Sequence, residues 1–404
     1  MAQVPAGVVF RPHYTALVDA WATKPIIKVL IGLRRTGKSV LLRQIAARLV
    51  ELGQPSPHIF DMESMENDGL RTAEALYERL RVLPVGSLLI DEVQEIAGWE
   101  RAAASLLGAG WDIWLTGSNA HLLSSELGTL LTGRYVELPV FPLSLPEFRS
   151  FRAAAAPSES EDPSLEAYFL WGGLPGLHAL GLQPELCREY LRSVFESILL
   201  KDVVARFAVR NVALLERLAR FVASSVGSPV SALSIAKFLK SQRLSVSVET
   251  VQSYLLHLES ALLVYCVRRW DLRGKRYLEI GEKFYLGDTG LFLALLGRPG
   301  DVNAVLENLV FLELKRRGYR VSVGKIGAYE VDFVAERDGD VVYLQVAYLL
   351  HDSATLEREL RPLLMMADHH PKRVISMDRL APALAAGVKH IEFGRFLEGE
   401  PLAG

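Results

Sequence analysis

Residues 26–39 read IIKVLIGLRRTGKS, and this stretch decides the fold of the amino-terminal part of the chain. The mostly apolar run at 26–31 predicts a short buried strand. The glycine-bounded segment at 32–39 has the spacing GxxxxGK[ST], and apolar residues recur at helical intervals in VLLRQIAARLVEL at 40–52. A strand, this loop and a helix in that order are the context in which the spacing forms a phosphate-binding loop.

Each residue type in this loop suits the binding of a nucleotide's phosphates. Glycine lets backbone N–H groups curl around phosphate oxygens, and the helix N-terminus adds a partial positive charge. We expect the Lys38 ammonium to reach the β and γ phosphates of ATP and the Ser39 hydroxyl to bind Mg²⁺. The predicted ATP-binding residues of the loop are Gly32, Leu33, Arg34, Arg35, Thr36, Gly37, Lys38, Ser39 and Val40.

A second strand is predicted at LLI, residues 88–90, and it ends in an acid pair. Asp91 is expected to contact the nucleotide and hold the Mg²⁺ shell. Glu92 is expected to orient and deprotonate the attacking water, as a carboxylate near the γ-phosphate can. An apolar run before two acids is common, but about fifty residues beyond a phosphate loop it indicates a nucleotide site.

Two further polar sites follow in the sequence. A strand at 111–115 runs into TGSN, where Ser118 is a candidate nucleotide contact and Asn119 a candidate contact for the γ-phosphate and the water. The alternative is that these residues cap the next helix, because Ser and Asn favour N-caps. Arg134 precedes the strand-like YVELPV and is either a surface arginine or a charge that stabilises the transferred phosphoryl group in a neighbouring subunit.

The composition limits the remaining possibilities. The chain has 404 residues, 45 Lys+Arg, 47 Asp+Glu, 50% hydrophobic residues and two cysteines. These numbers exclude a disordered chain, a globally basic nucleic-acid binder and a disulfide framework. No run approaches the roughly 18 apolar residues of a membrane span, so we expect a cytoplasmic protein.

The motifs together resemble a known family. GLRRTGKS, LLIDEVQEIAGWE, LTGSNAHLLSSEL, TGRYVELPVFPLSLPEF and WGGLP are similar to the bacterial and archaeal AAA-type ATPases that carry a C-terminal domain of unknown function, number 4143. The resemblance implies an AAA fold with a Walker A motif at 32–39, a Walker B motif at Asp91 and Glu92, and a sensor strand ending at Ser118 and Asn119. It also implies ATP and Mg²⁺ as ligands, Arg134 as a finger or sensor, and a homo-oligomer, by default a hexameric ring.

Beyond the ATPase core, expected at 1–150, we predict a helical lid at 151–210 and a winged-helix-like domain at 211–285. Three helical patterns and a strand–turn–strand pattern follow one another there, which is the order of a winged helix. Five cations lie on the proposed wing and are candidate DNA-binding residues: Arg268, Arg269, Arg273, Lys275 and Arg276. The alternative is a packing module, since the third helix carries little positive charge.

The segment 286–404 resembles a restriction-endonuclease core. Glu307 lies on a predicted helix, Asp332 on a strand and Gln345 on the next strand. An active site of that kind has an acid or amide at the third position and usually a lysine two residues on, but here Ala347 stands in place of the lysine. We therefore expect a nuclease-like fold that is catalytically degenerate.

The fold class predicted for the whole chain is α/β, with a P-loop AAA core, a helical lid, a winged helix and a nuclease-like domain. The leading functional hypothesis is a Mg²⁺-dependent ATPase that works on DNA as a translocase, helicase or branched-DNA remodeller. The alternatives are a nucleotide-operated signalling or scaffold switch that does not use DNA, and an ATP-coupled nuclease.

Overall fold

A computed structural model of the chain describes residues 9–119, 131, 133–155, 164–272, 274, 276–351, 353–380, 384–385 and 387–402. At residues 164 and 276–280 it describes the backbone alone. The chain forms two compact units. The first comprises residues 1–140 with 260–262, and the second comprises 141–259 with 263–404.

The first unit is built on a five-stranded parallel sheet. Its strands are β1 (Ile27–Ile31), β2 (His58–Asp61), β3 (Ser87–Asp91), β4 (Asp112–Gly117) and β5 (Tyr135–Pro139), in the order β2-β3-β4-β1-β5. The described helices of this unit are Pro12–Trp21, Lys38–Glu51, Ala73–Leu80 and Trp99–Gly108, with 3₁₀ turns at Met65–Leu70 and Val93–Glu95.

Burial on both faces explains why the central strands β1, β3 and β4 are mostly apolar. Every residue of β1 and β3 is buried. The one ammonium in β1, on Lys28, is paired with the Asp112 carboxylate and donates to the Lys24 carbonyl at 2.8 Å. The helix Lys38–Glu51 packs its apolar face against Leu30, Leu89 and Trp114, which belong to three adjacent strands.

The strand order determines where the polar residues of the sequence motifs meet. Strand β4 pairs with β1 on one side and with β3 on the other. Because carboxyl ends of parallel strands lie at one edge of a sheet, the phosphate loop, the acid pair and the TGSN segment share that edge. The sequence predicted these three strands, and their adjacency is a property of the folded sheet.

The second unit combines a helical part with a seven-stranded sheet. The sheet order is β12-β11-β10-β9-β8-β6-β7. Its strands are β6 (Val264–Asp271), β7 (Arg276–Leu286), β8 (Arg320–Ile326), β9 (Tyr329–Arg337), β10 (Asp340–Val346), β11 (Lys372–Ser376) and β12 (Val388–Glu392). The described helices are Leu145–Ala155, Ser164–Trp171, Gly176–Ala179, Pro184–Ser197, the π-helix Ile198–Ala205, Val212–Ser224, Ala232–Ser241, Val248–Ser260, Leu291–Leu296, Val302–Arg316, Ser353–Leu364 and Phe393–Leu397.

Three helices and a hairpin follow one another in the order expected for the proposed winged helix. These are Val212–Ser224, Ala232–Ser241 and Val248–Ser260, followed by β6 and β7. The hairpin is also part of the large sheet, because β6 runs parallel to β8 and pairs with it. The winged-helix and nuclease-like assignments stay predictions, as do the domain limits 1–150, 151–210, 211–285 and 286–404.

A buried carboxylate explains the WGGLP motif at 171–175. Asp288 Oδ2 accepts from the Gly173 N–H at 2.7 Å, and its Oδ1 accepts from the Gly290 N–H at 2.9 Å. A Cβ at Gly172 would lie 2.1 Å from Asp288 Oδ1, and one at Gly290 would lie 2.1 Å from the Trp171 carbonyl oxygen. Only glycine allows this approach, and burial of the carboxyl raises the pKa of Asp288 to about 6.

The first testable prediction concerns the glycine that opens the phosphate loop. A Cβ at Gly32 would lie 2.2 Å from the backbone carbonyl oxygen of Val140, which cannot rotate away. We expect Gly32→Ala to lower the free energy of unfolding by about 1–3 kcal/mol, the usual cost of overpacking. Urea denaturation measures this change. Gly86→Ala is the matched control, since a Cβ there meets nothing within 4 Å, and equal losses in both variants would contradict the prediction.

Candidate nucleotide site

The phosphate loop connects β1 to the helix Lys38–Glu51 and is held by its own polar groups. Gly37 has φ 91° and Arg35 has φ 67°, both in the left-handed region that produces a tight curl. The buried Thr36 hydroxyl donates to the Leu33 carbonyl at 2.9 Å. The Arg11 guanidinium donates to the Thr36 carbonyl at 3.2 Å, so a residue from the first helix's N-cap also braces the loop.

The lysine of the loop is folded back on the residues that precede it. Lys38 Nζ donates to the Gly32 carbonyl at 2.9 Å and to the Leu33 carbonyl at 3.1 Å, and the residue is 4% exposed. Ser39 and Val40, in the first helical turn, are exposed. Carbonyl dipoles are weaker partners for an ammonium than phosphate oxygens are, so an incoming phosphate can replace them.

The acid pair at the end of β3 is organised by Thr116, on the adjacent β4. The buried Thr116 hydroxyl accepts from the Glu92 backbone N–H at 2.9 Å and donates to the Asp91 carboxylate. Glu92 has φ 52° and ψ 57°, a left-handed conformation that is uncommon for a residue with a side chain. Sequence reasoning missed Thr116, and knowledge that β3 and β4 are neighbours would have indicated it.

The Glu92 carboxyl is nearly buried and lies in a strongly polar environment. Burial raises the pKa of Glu92 above its usual value, and the neighbouring Asp91 acts in the same direction. The charges of Lys38 and Arg34 oppose this shift, as does the side-chain hydrogen bond from Gln94. Because the charges of Lys38 and Arg34 act on the Glu92 carboxyl, the loop and this member of the acid pair are close neighbours.

The other predicted ATP-site residues divide into two groups. Ser118 and Asn119 are buried at the end of β4, beside the acid pair, and Arg34 pairs with Glu63 at 3.5 Å. Arg134 is exposed, and its carbonyl accepts from the Ile27 N–H at 2.8 Å. This bond puts the Arg134 backbone beside the amino end of β1, roughly 15 Å along the strand from the loop that follows β1.

Two of the residues predicted for a nuclease-like site, Glu307 and Asp332, contact a lysine that Glu330 also contacts. Lys283 Nζ lies 2.9 Å from Glu307 Oε1, 2.8 Å from Glu330 Oε1 and 3.5 Å from Asp332 Oδ1, and its side chain is 2% exposed. Sequence reasoning missed Lys283, because it sits in a strand of ordinary pattern. Burial lowers the pKa of Lys283, but the three carboxylates outweigh that effect and raise it above its usual value.

The third predicted member of that site, Gln345, makes a hydrogen bond from each end of its side-chain amide. Its Oε1 accepts from the Asp332 N–H at 2.7 Å, and its Nε2 donates to Glu359 Oε2 at 2.9 Å. Burial raises the pKa of Asp332 to about 7, with the nearby Glu307 charge adding to the effect and Lys283 opposing it. Within the described residues, no group of three His, Cys, Asp or Glu side chains could hold a metal ion.

The proposed DNA-binding turn is described only in part. Arg268 has a side chain 71% exposed and reaches Glu282 at 4.0 Å, while Arg269 pairs with Glu330 at 3.7 Å. Arg273, Lys275 and the side chain of Arg276 lie outside the described residues. The described part of the chain contains no helix long and apolar enough to cross a membrane.

Comparison with known proteins gives the family. Residues 24–149 match the model of an AAA domain, and residues 162–301 match a domain of unknown function, DUF8612. An uncharacterized protein of Haemophilus influenzae is 35% identical over 379 residues, covering 92% of this chain and 94% of that protein. The chain belongs to the same family as that protein.

A second relative agrees with this family membership, and a solved structure shares the fold. An uncharacterized protein of Methanocaldococcus jannaschii is 30% identical and covers 83% of this chain and 77% of its own length. The Walker-type ATPase PABY2304 of Pyrococcus abyssi has a TM-score of 0.52 at 17% identity, covering 72% of this chain and 96% of that structure. The matched model identifies residues 24–149 as an AAA domain, and the solved structure shows a similar fold, whereas the expected domain 4143 and nuclease-like assignments are not confirmed.

The second prediction tests the bridge between β3 and β4. Thr116→Val keeps the shape of the side chain but leaves the Glu92 N–H without its acceptor and Asp91 without its donor. We expect the free energy of unfolding, measured without nucleotide, to fall by about 1–3 kcal/mol, the cost of an unsatisfied buried group. Thr116→Ser is the control, because it keeps the hydroxyl and should lower the free energy of unfolding by less than Thr116→Val does. A Val variant as stable as the wild type would contradict the bridging role.

Proposed function

We propose that this protein is a Mg²⁺-dependent ATPase that acts as an oligomeric motor on DNA, as a translocase, helicase or branched-DNA remodeller. The observation that carries the ATPase part is the shared edge of the sheet, where Lys38, the acid pair and the polar end of β4 converge. A cytoplasmic location goes with this proposal.

The residues at this edge suit the phosphates of ATP. Lys38 would exchange its two carbonyl partners for phosphate oxygens, and the left-handed Gly37 leaves the start of the helix open to them. Ser39 and Asp91 would hold Mg²⁺, which supplies positive charge to the phosphates. Glu92, held by its backbone at Thr116, would take a proton from the attacking water. Ser118 and Asn119 would contact the nucleotide and the water from β4.

The third prediction separates nucleotide binding from hydrolysis. Lys38→Ala should weaken ATP binding by roughly tenfold to a hundredfold, because it removes a charge-assisted bond to phosphate. Glu92→Gln should leave ATP bound and lower kcat by about 10²–10⁴, since only the proton acceptor changes. Equilibrium ATP binding and steady-state phosphate release are the measurements. Glu95→Gln, an exposed neighbour paired with Arg71, is the control, and a Glu92→Gln protein with wild-type turnover would refute the role of Glu92.

The fourth prediction concerns the oligomer. The backbone position of Arg134 beside the amino end of β1, away from its own loop, supports action on a neighbouring subunit's nucleotide, and a hexameric ring is the form we propose. Arg134→Ala alone should lower kcat by about 10³–10⁵ if it is an arginine finger. Mixing Arg134→Ala with Lys38→Ala subunits should restore some turnover, because one interface then combines an intact loop with an intact arginine. Absence of recovery in demonstrably mixed oligomers would contradict action in trans.

The DNA part of the proposal rests on the basic turn at 268–276. The run carries five cations in a chain of net charge −2, and Arg268 is exposed with one distant carboxylate partner. Phosphate contacts of this kind are independent of base sequence and weaken with salt through counterion release.

The fifth prediction tests this turn. Replacing Arg273, Lys275 and Arg276 with Ala should lower affinity equally for unrelated DNA sequences. The slope of log affinity against log salt should fall by about 0.9 for each phosphate that the variant no longer neutralises. Removing the same charge at Arg79, Arg81 and Arg101, which are exposed in the other unit, controls for net charge. An unchanged affinity and salt slope in the turn variant, with ATPase rates indifferent to single-stranded, duplex and branched DNA, would favour a nucleotide switch instead.

We do not favour an ATP-coupled nuclease. Lys283 contacts the carboxylates of Glu307, Glu330 and Asp332, so its ammonium already supplies the positive charge that a catalytic metal would bring. Ala347 stands where active sites of this kind usually carry a lysine. The group formed by Lys283 and these three carboxylates is better suited to stabilising the interior of the second unit.

A further inference from the structure

Gln94 follows the acid pair by two residues and contacts its second member. It lies in the 3₁₀ turn Val93–Glu95, directly after β3, and its Nε2 donates to Glu92 Oε2. The other atom of the amide, Oε1, is buried and has no hydrogen-bond partner in the part of the chain that the structure describes. Native proteins leave few buried polar atoms unpaired, and such an atom in a functional region indicates a missing donor.

The orientation of this amide follows from its neighbour. An ionised carboxylate offers only acceptor oxygens, so Glu92 selects the NH₂ group of Gln94 and leaves the carbonyl oxygen free. The Glu92 backbone is fixed in turn, because its N–H donates to Thr116 at 2.9 Å and its φ is 52°. Two acceptors are therefore left at this turn: the Glu92 carboxylate and the buried Gln94 Oε1.

A water molecule has two hydrogens and matches a pair of acceptors. We propose that Gln94 is a positioning residue for the attacking water: its Oε1 accepts one hydrogen, and its Nε2 holds the carboxylate of Glu92 that receives the other. This inference rests on the ATPase function proposed above. An amide that orients a nucleophilic water is an established device in phosphoryl transfer.

The step balances without any change at Gln94. The water oxygen forms a bond to the γ-phosphorus of ATP while the bond from that phosphorus to the β–γ bridging oxygen breaks. ADP leaves with the electron pair of the broken bond. One water proton passes to Glu92, and the other stays on the oxygen that becomes part of the phosphate product, while Gln94 Oε1 restricts the orientation of that O–H.

The same contact could instead restrain Glu92. In that arrangement Gln94 would hold the carboxylate away from the water, and removing the amide would raise turnover. The free Oε1 favours the positioning role, because a restraint uses only the Nε2 hydrogen bond and gives no reason for a buried acceptor beside it.

The test is a double-mutant cycle on steady-state ATP turnover with the full-length protein. Gln94→Met keeps the length of the side chain and removes both amide groups, and we expect kcat to fall roughly tenfold to a hundredfold while ATP affinity is unchanged. Gln94→Asn withdraws the amide by one methylene and should also slow turnover. Gln54→Met, the same substitution at a partly exposed glutamine of the same unit, is the control and should leave kcat unchanged.

The second arm adds Gln94→Met to Glu92→Gln. Because both residues act on one water, the double variant should be no slower than Glu92→Gln alone. Multiplied losses, weakened ATP binding, or faster turnover by Gln94→Met would each overturn the positioning role. A wild-type protein that hydrolyses ATP at the same rate as Gln94→Met would overturn this inference alone, whereas a wild-type protein that binds ATP without hydrolysing it would overturn the proposed ATPase function as well.

Discussion

The hydrogen bonds of the Thr116 hydroxyl are the interaction on which the nucleotide site depends. One hydroxyl connects the end of β3 to β4, accepting from the Glu92 N–H and donating to Asp91. It fixes both acids of the pair relative to the strand that also pairs with β1. Since β1 leads into the phosphate loop, a single side chain in the interior of the sheet connects the acid pair to the loop.

Much of the first unit was predictable from the sequence, because its signals are local. The apolar run at 26–31, the glycine spacing and the helical pattern after it correspond to β1 and the helix Lys38–Glu51. The strand order could not be predicted, because it depends on which apolar surfaces pack together in three dimensions. For the same reason Thr116 and Gln94 were missed: a lone Thr or Gln has no motif, and only its neighbours across the sheet or along the turn give it a role.

The second unit shows a different limit of sequence reasoning. The three helices and the hairpin at 211–285 were predicted there, as were the helix of Glu307 and the strands of Asp332 and Gln345, but the groups that secure the interior were not. Lys283 contacts carboxylates contributed by the helix Val302–Arg316 and by β9, and Asp288 holds the backbone at Gly173 and Gly290. Burying such charges is costly unless each is paired, so these contacts require partners far apart in the sequence. A pattern along one segment cannot indicate them.

The most direct measurement of the nucleotide site is a crystal structure of the wild-type protein with Mg²⁺ and a non-hydrolysable ATP analogue. Lys38 Nζ lies 2.9 Å and 3.1 Å from the Gly32 and Leu33 carbonyl oxygens without nucleotide. We expect it to leave these oxygens and lie within hydrogen-bond distance of the β or γ phosphate, while Thr116 keeps its contacts with the acid pair. An analogue bound elsewhere, or a Lys38 that remains on the two carbonyls, would contradict the assignment of this edge of the sheet as the ATP site.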